Sequence, residues 1–84
     1  MNTEDLKQAI RDYIIKEFLP GESPDNVTDE LPLISSGILD SIATLKLVLF
    51  IEERFGIALE AHETDKENMD TLAQMVATVQ AKQK

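Results

Sequence analysis

Residues 37–56 read GILDSIATLKLVLFIEERFG, and the fold follows from how this stretch is punctuated. Asp40 and Ser41 both suit a helix N-cap, and Gly56 suits a helix stop. Between them SIATLKLVLFIEERF contains neither Pro nor Gly, which predicts a central helix over residues 41–55. Thr44, Leu47, Val48, Ile51 and Phe55 recur at the spacing of one helical face and should meet the core. Ile42, Leu45 and Leu49 form a second apolar stripe beside it, and Phe50 widens the arc. A helix apolar over that much of its circumference should be buried on more than one side. Two readings stay open. The long loop before the helix covers the stripe with Leu31, Leu33 or Ile38, or the stripe remains as a partner contact. Burying one such side chain is worth about 1.5–3 kcal/mol. Leaving three exposed forgoes roughly 5–8 kcal/mol, comparable to a small domain's whole stability. The expectation is partial burial, with a contact patch beside Ser41.

Outward from this helix, the N-terminal segment Thr3–Leu19 carries Leu6, Ala9, Ile10, Tyr13, Ile14 and Phe18 at helical spacing. Asn2 or Thr3 can cap it, Glu4 and Asp5 suit its first turn, and Pro20-Gly21 stops it. Residues 20–40 hold Pro20, Gly21, Pro24, Pro32 and Gly37, too much punctuation for a helix. Their apolar members Leu31, Leu33, Ile34, Ile38 and Leu39 should tuck against the core. A connection this long in so small a chain is uncommon, and such loops are often functional. Towards the C-terminus, Thr71 and Gln74 have capping-box spacing, and Leu72, Met75, Val76 and Val79 continue as one face. Residues 64–68, TDKEN, suit a short extra turn or helix, and the polar tail AKQK should fray. No segment alternates with period 2. The fold expected is all-α: one domain over residues 1–84, a small bundle of three to four helices with a long loop between the first two.

At 84 residues the chain builds one modest core, and a deep catalytic cleft is hard to fit. It has no Cys, so disulfides and thiolate metal sites are excluded, and the single His62 makes a histidine metal site improbable. No metal is expected. The N-terminus MNTEDLKQ is not a secretory signal, and no apolar run approaches a membrane span. The reading is a cytoplasmic monomer without membrane contacts. A net charge of −8 argues against nucleic acid, because phosphate backbones would be repelled. Residues 21–40 contain Glu22, Asp25, Asp29, Glu30 and Asp40 and no base. That segment is either a solvated loop or a surface that steers towards basic partners.

Ser41 has three chemical readings. As a nucleophile it would need a base and an oxyanion hole. A nucleophile elbow needs glycine two residues either side, where this chain has Leu39 and Ala43. As a dipeptide alone, Asp40-Ser41 reads first as a helix cap. As a site modified by another enzyme, Ser41 would be accessible after a flexible Ser35-Ser36-Gly37 segment. A phosphodiester there would lie in the field of a helix N-terminus. No EF-hand loop is present. His62, in the stretch Glu60-Ala61-His62-Glu63 after the helix, reads as a surface residue in a loop.

Gly37-Ile38-Leu39-Asp40-Ser41-Ile42 resembles the G-x-D-S-L/I signature of acyl and peptidyl carrier proteins, with one residue more before the Asp-Ser. LKLVLFIEERFGIAL (45–59) looks like that family's second helix, and NMDTLAQMV (68–76) like the start of its last. The resemblance covers about residues 31–79. It implies that Ser41 receives 4′-phosphopantetheine from coenzyme A through a phosphopantetheinyl transferase. The cargo then rides as a thioester on the arm's terminal thiol, which a chain without Cys would otherwise lack. It implies a supporting role for Asp40 in positioning the transferase and its metal. It also implies partner contacts at Ile42, Leu45 and Leu49. Lys46 stands where fatty-acid-synthesis carriers usually have a glutamate, although Glu52 and Glu53 remain on the acidic recognition helix. Glu60 replaces a proline that often follows. These departures favour a specialised carrier, itself not an enzyme, served by a dedicated ligase or synthase, over a housekeeping fatty-acid carrier; an aminoacyl or peptidyl carrier is the other alternative within the family. The reading from a different class is an unmodified helical interaction domain that uses Asp40-Ser41 only as a cap.

Overall fold

A computed structural model describes residues 2–64 and 66–83; Asp65, within the expected extra turn, and Lys84, at the tail, lie outside the described residues. Helix α1 spans Thr3–Phe18, α2 Ser41–Phe55, α3 Lys66–Met69 and α4 Leu72–Gln83, with single 3-10 turns at Pro24–Asn26 and Ala61–Glu63. There is no strand among the described residues.

Local chemistry sets the ends of these helices. Asn2 caps α1, its Oδ1 accepting from the Asp5 N–H at 2.8 Å. Gly56 ends α2 at φ +66°, a left-handed conformation that a residue with a Cβ adopts only under strain. At α4 the capping box closes in both directions. Gln74 N–H donates to Thr71 Oγ1 at 3.1 Å, and Thr71 N–H donates to Gln74 Oε1 at 3.1 Å.

The core draws on every segment. Leu6, Ile10 and Ile14 of α1 meet Ala43, Leu47, Val48 and Ile51 of α2, with Met69 of α3 and Leu72, Met75, Val76 and Val79 of α4. The long connection contributes Val27, Leu33 and Leu39. Its other apolar members, Leu31, Ile34 and Ile38, pack half-buried against the edge. An aromatic clamp fastens α1 to α2. Tyr13 stacks on Phe50 with ring centroids 4.0 Å apart, and its hydroxyl donates to the Lys46 carbonyl at 3.4 Å.

The structure refines three expectations. The buried arc of α2 is centred on Ala43, Leu47 and Ile51, so Thr44 lies half-buried at its margin, while Phe55 packs half-buried against the core as expected. The acidic connection is not merely solvated. Asp29 takes Lys7 Nζ at 2.8 Å and Arg11 Nη2 at 3.5 Å, and its carbonyl accepts from the Ala73 N–H at 3.1 Å. It therefore pins the connection to both α1 and α4. Finally, Ala81–Gln83 of the polar tail are helical and complete α4, where Lys82 Nζ meets Glu63 Oε1 at 2.8 Å.

Candidate functional site

The start of α2 separates the two cap candidates. Asp40 is the N-cap: Oδ1 accepts from the Ala43 N–H at 2.7 Å, and its carbonyl accepts from the Thr44 N–H at 2.9 Å. Ser41 is the first helical residue. It is exposed, and its hydroxyl has no hydrogen-bond partner among the described residues. The N–H groups of Ser41 and Ile42 likewise have no acceptor there, as the first turn of a helix dictates. Ser41 thus has a free hydroxyl beside two free donors at the positive end of a helix.

The segment before Ser41, which contains Ser35-Ser36-Gly37, is anchored by hydrogen bonds at both of its ends. The Leu33 N–H donates to the Asp70 carbonyl at 2.7 Å, and the Leu39 N–H to the Leu33 carbonyl at 2.8 Å, closing residues 33–39 into a loop. Within it Gly37 turns at φ +86°, and its N–H reaches the Ile34 carbonyl at 3.1 Å. Asp70 grips the loop from α4's side. Its carboxylate accepts the Ile34 N–H at 2.8 Å, the Ser35 N–H at 2.9 Å and the Ser35 hydroxyl at 2.6 Å. The Ser35 hydroxyl and backbone hold this carboxyl below its usual value of 3.8. Ile34, Gly37 and Leu39, with Asp40, Ser41, Thr44 and Thr64, line an open depression of about 550 Å³ at the base of α2.

The second stripe stays uncovered. Ile42, Leu45 and Leu49 are 67%, 58% and 52% exposed, while Leu33 and Leu39 of the long connection are buried in the core. Lys46 and Glu53 are exposed in the same region of the helix. Glu52 differs from them. It is half-buried, and its Oε2 accepts from the Leu59 N–H at 2.8 Å, tying down the chain after Gly56. His62 is exposed in its 3-10 turn, and no hydrogen bond joins it to Ser41 among the described residues. Donor atoms of Glu60, His62 and Glu63 fall within 4.8 Å of one another. Glu63 Oε1 is already held by Lys82 Nζ and by the Glu60 N–H at 3.0 Å, so this turn is built for structure.

Two groups of side chains therefore share α2: a free serine at its start and an apolar stripe running from it. No family model matches the chain. Individual relatives do. A D-alanyl carrier protein of Lactobacillus acidophilus is 32% identical over 92% of this chain and 94% of its own length. A probable acyl carrier protein, PigG of Serratia sp., is 32% identical over 89% of this chain and 85% of its own. The D-alanyl carrier protein of Lacticaseibacillus casei is 29% identical over 99% of this chain and the whole of its own. The chain belongs to the acyl carrier protein family. Its function is that of a carrier protein.

In this acyl carrier protein Asp40 and Ser41 divide their tasks at the start of α2. Here the neighbouring carboxylate does the capping, and the hydroxyl faces solvent. Sequence reasoning singled out both residues but missed Asp70. Asp70 lies inside the stretch that resembles the last helix, and nothing local links it to Ser35, 35 residues earlier.

Proposed function

We propose that Ser41 is the attachment point for 4′-phosphopantetheine, transferred from coenzyme A by a phosphopantetheinyl transferase. The observation that carries this reading is the exposed, unbonded Ser41 hydroxyl at the first position of a helix that Asp40 already caps. The residues present suit the group. The free N–H groups of Ser41 and Ile42 offer donors to a phosphodiester, and the depression beside them is open to solvent. When attached, the arm supplies the thiol that carries a cargo as a thioester. The chain's own residues orient and present: Asp40 fixes the helix end, and loop 33–39 forms one wall.

On this reading the protein is not itself a catalyst. The single carrier domain, residues 1–84, passes cargo between a loading ligase or synthase and a downstream acceptor enzyme. The exposed Ile42, Leu45 and Leu49, with Lys46 and Glu53, form the docking face. Glu52 supports that face from within. The names of the relatives include both D-alanyl and acyl carriers, and Lys46 and Glu60 favour a specialised pathway. Among the described residues no helix is long and apolar enough to cross a membrane. The proposed setting is the cytoplasm, where coenzyme A is at hand, with the carrier acting as a monomer.

The test is intact mass spectrometry after incubation with coenzyme A and a promiscuous phosphopantetheinyl transferase. One phosphopantetheine is expected on the native chain and none on Ser41→Ala. An unmodified native chain, or a modified Ser41→Ala chain, overturns the assignment.

A further inference from the structure

We infer that Asp70 is a positioning residue for the modification of Ser41, holding loop 33–39 in the form that a phosphopantetheinyl transferase must dock against. The inference rests on Ser41 being the attachment point and assigns a task to a residue 29 positions away in sequence. The Asp70 side chain takes three hydrogen bonds of 2.6–2.9 Å from Ile34 and Ser35. Its carbonyl takes a fourth, from Leu33 at 2.7 Å. Asp70 is itself fixed, because its N–H donates to Gln74 Oε1 at 2.9 Å, the same oxygen that closes the α4 capping box. The chain of contacts runs from the rigid start of α4, through Asp70, to a loop whose members Ile34, Gly37 and Leu39 are walls of the depression holding Ser41. Leu39 then leads directly into Asp40-Ser41.

Outside this grip the loop is held by its own short bonds, such as Gly37 to Ile34 at 3.1 Å and the longer Ile38 to Ser36 contact at 3.4 Å. Without the Asp70 carboxylate, two backbone N–H groups and a hydroxyl lose their acceptor together. The docking-competent loop then becomes one conformer among several. A partner that binds only one conformer sees its apparent affinity fall by that conformer's fraction, while the docked complex reacts as before. The signature is a raised KM for the carrier with kcat preserved.

Steady-state modification by coenzyme A and a phosphopantetheinyl transferase is measured for the native chain, Asp70→Ala, Asp70→Asn and Ser35→Ala. Asp70→Ala is expected to raise KM for the carrier about tenfold with kcat within about twofold. Asp70→Asn keeps an acceptor oxygen for both N–H groups and is expected to return KM to within about 1.5-fold of native. Hydrogen exchange at the Ser35 and Gly37 amides should accelerate in Asp70→Ala and recover in Asp70→Asn. Native KM in Asp70→Ala, a loss carried by kcat, or failure of Asp70→Asn to rescue each overturns the inference. If circular dichroism shows that Asp70→Ala does not fold, Ser35→Ala decides: KM raised about threefold supports the role, and native KM overturns it. A native chain that is never modified defeats the Ser41 assignment and this inference with it. A modified native chain with indifferent Asp70 variants defeats this inference alone.

Discussion

The carboxylate of Asp40 lies 2.7 Å from the Ala43 N–H, and that bond leaves the neighbouring hydroxyl without a structural duty. The consequence is an asymmetry between adjacent residues. Removing an N-cap acceptor costs about 0.5–2 kcal/mol, so Asp40→Ala should lower the unfolding free energy by about 1 kcal/mol. Ser41→Ala deletes a solvated hydroxyl and should change stability by less than about 0.5 kcal/mol. Urea denaturation of both variants distinguishes them, and an equal loss would show that Ser41 shares the cap. Either residue alone could have capped the helix by composition. The choice depends on backbone torsion, Asp40 being extended at φ −81° and ψ −174° while Ser41 is already helical.

Helix α2 has two apolar sides with different purposes. Leu47 is fully buried and Leu45 is 58% exposed, although they are two residues apart. Leu47→Ala should cost about 2–5 kcal/mol through lost contacts and a cavity. Leu45→Gln should stay within about 0.5 kcal/mol of native stability while weakening loading by the partner ligase or synthase. Thermal melts paired with loading assays check both, and a large stability loss in Leu45→Gln would place that side chain in the core. Helix ends were legible in sequence because their signals are local: Asp40, Gly56, and Thr71 with Gln74 each act within four residues. The fate of the stripe was not legible, because it depends on where a loop of 21 residues, 20–40, is tied. Those ties, Asp29 to Lys7 and Arg11, and Asp70 to Ser35, join residues 18 to 35 positions apart. Composition marked residues 21–40 as acidic and could not tell that one of its carboxylates is an internal anchor.

Across the whole molecule, a radius of gyration of 11.6 Å matches the value of about 12 Å expected for a folded chain of this length. Glu22, Asp25, Glu30 and Glu53 are exposed, and the net charge is −8. Encounter with a partner that presents a basic surface should therefore be electrostatically steered, and its rate should fall several-fold as salt rises from about 50 to 300 mM. Stopped-flow association at several ionic strengths checks this, and a flat dependence would show that the apolar stripe alone governs encounter. Fold class and the serine were readable from one stretch because both sit on the same helix. The loop's anchorage was not, since it comes from a segment that follows α2 in the chain.

The stripe of Ile42, Leu45 and Leu49 begins one residue from Ser41 and runs about 10 Å along a rigid helix. If Ser41 bears the arm, the handle by which enzymes grasp this protein and the post to which its tether is tied are one rod. A single rod has room for one hand. The enzyme that loads the cargo must let go before the next can take hold, so the order of events in the pathway would be enforced by occupancy, as in a queue at a single counter, whatever the cargo happens to be.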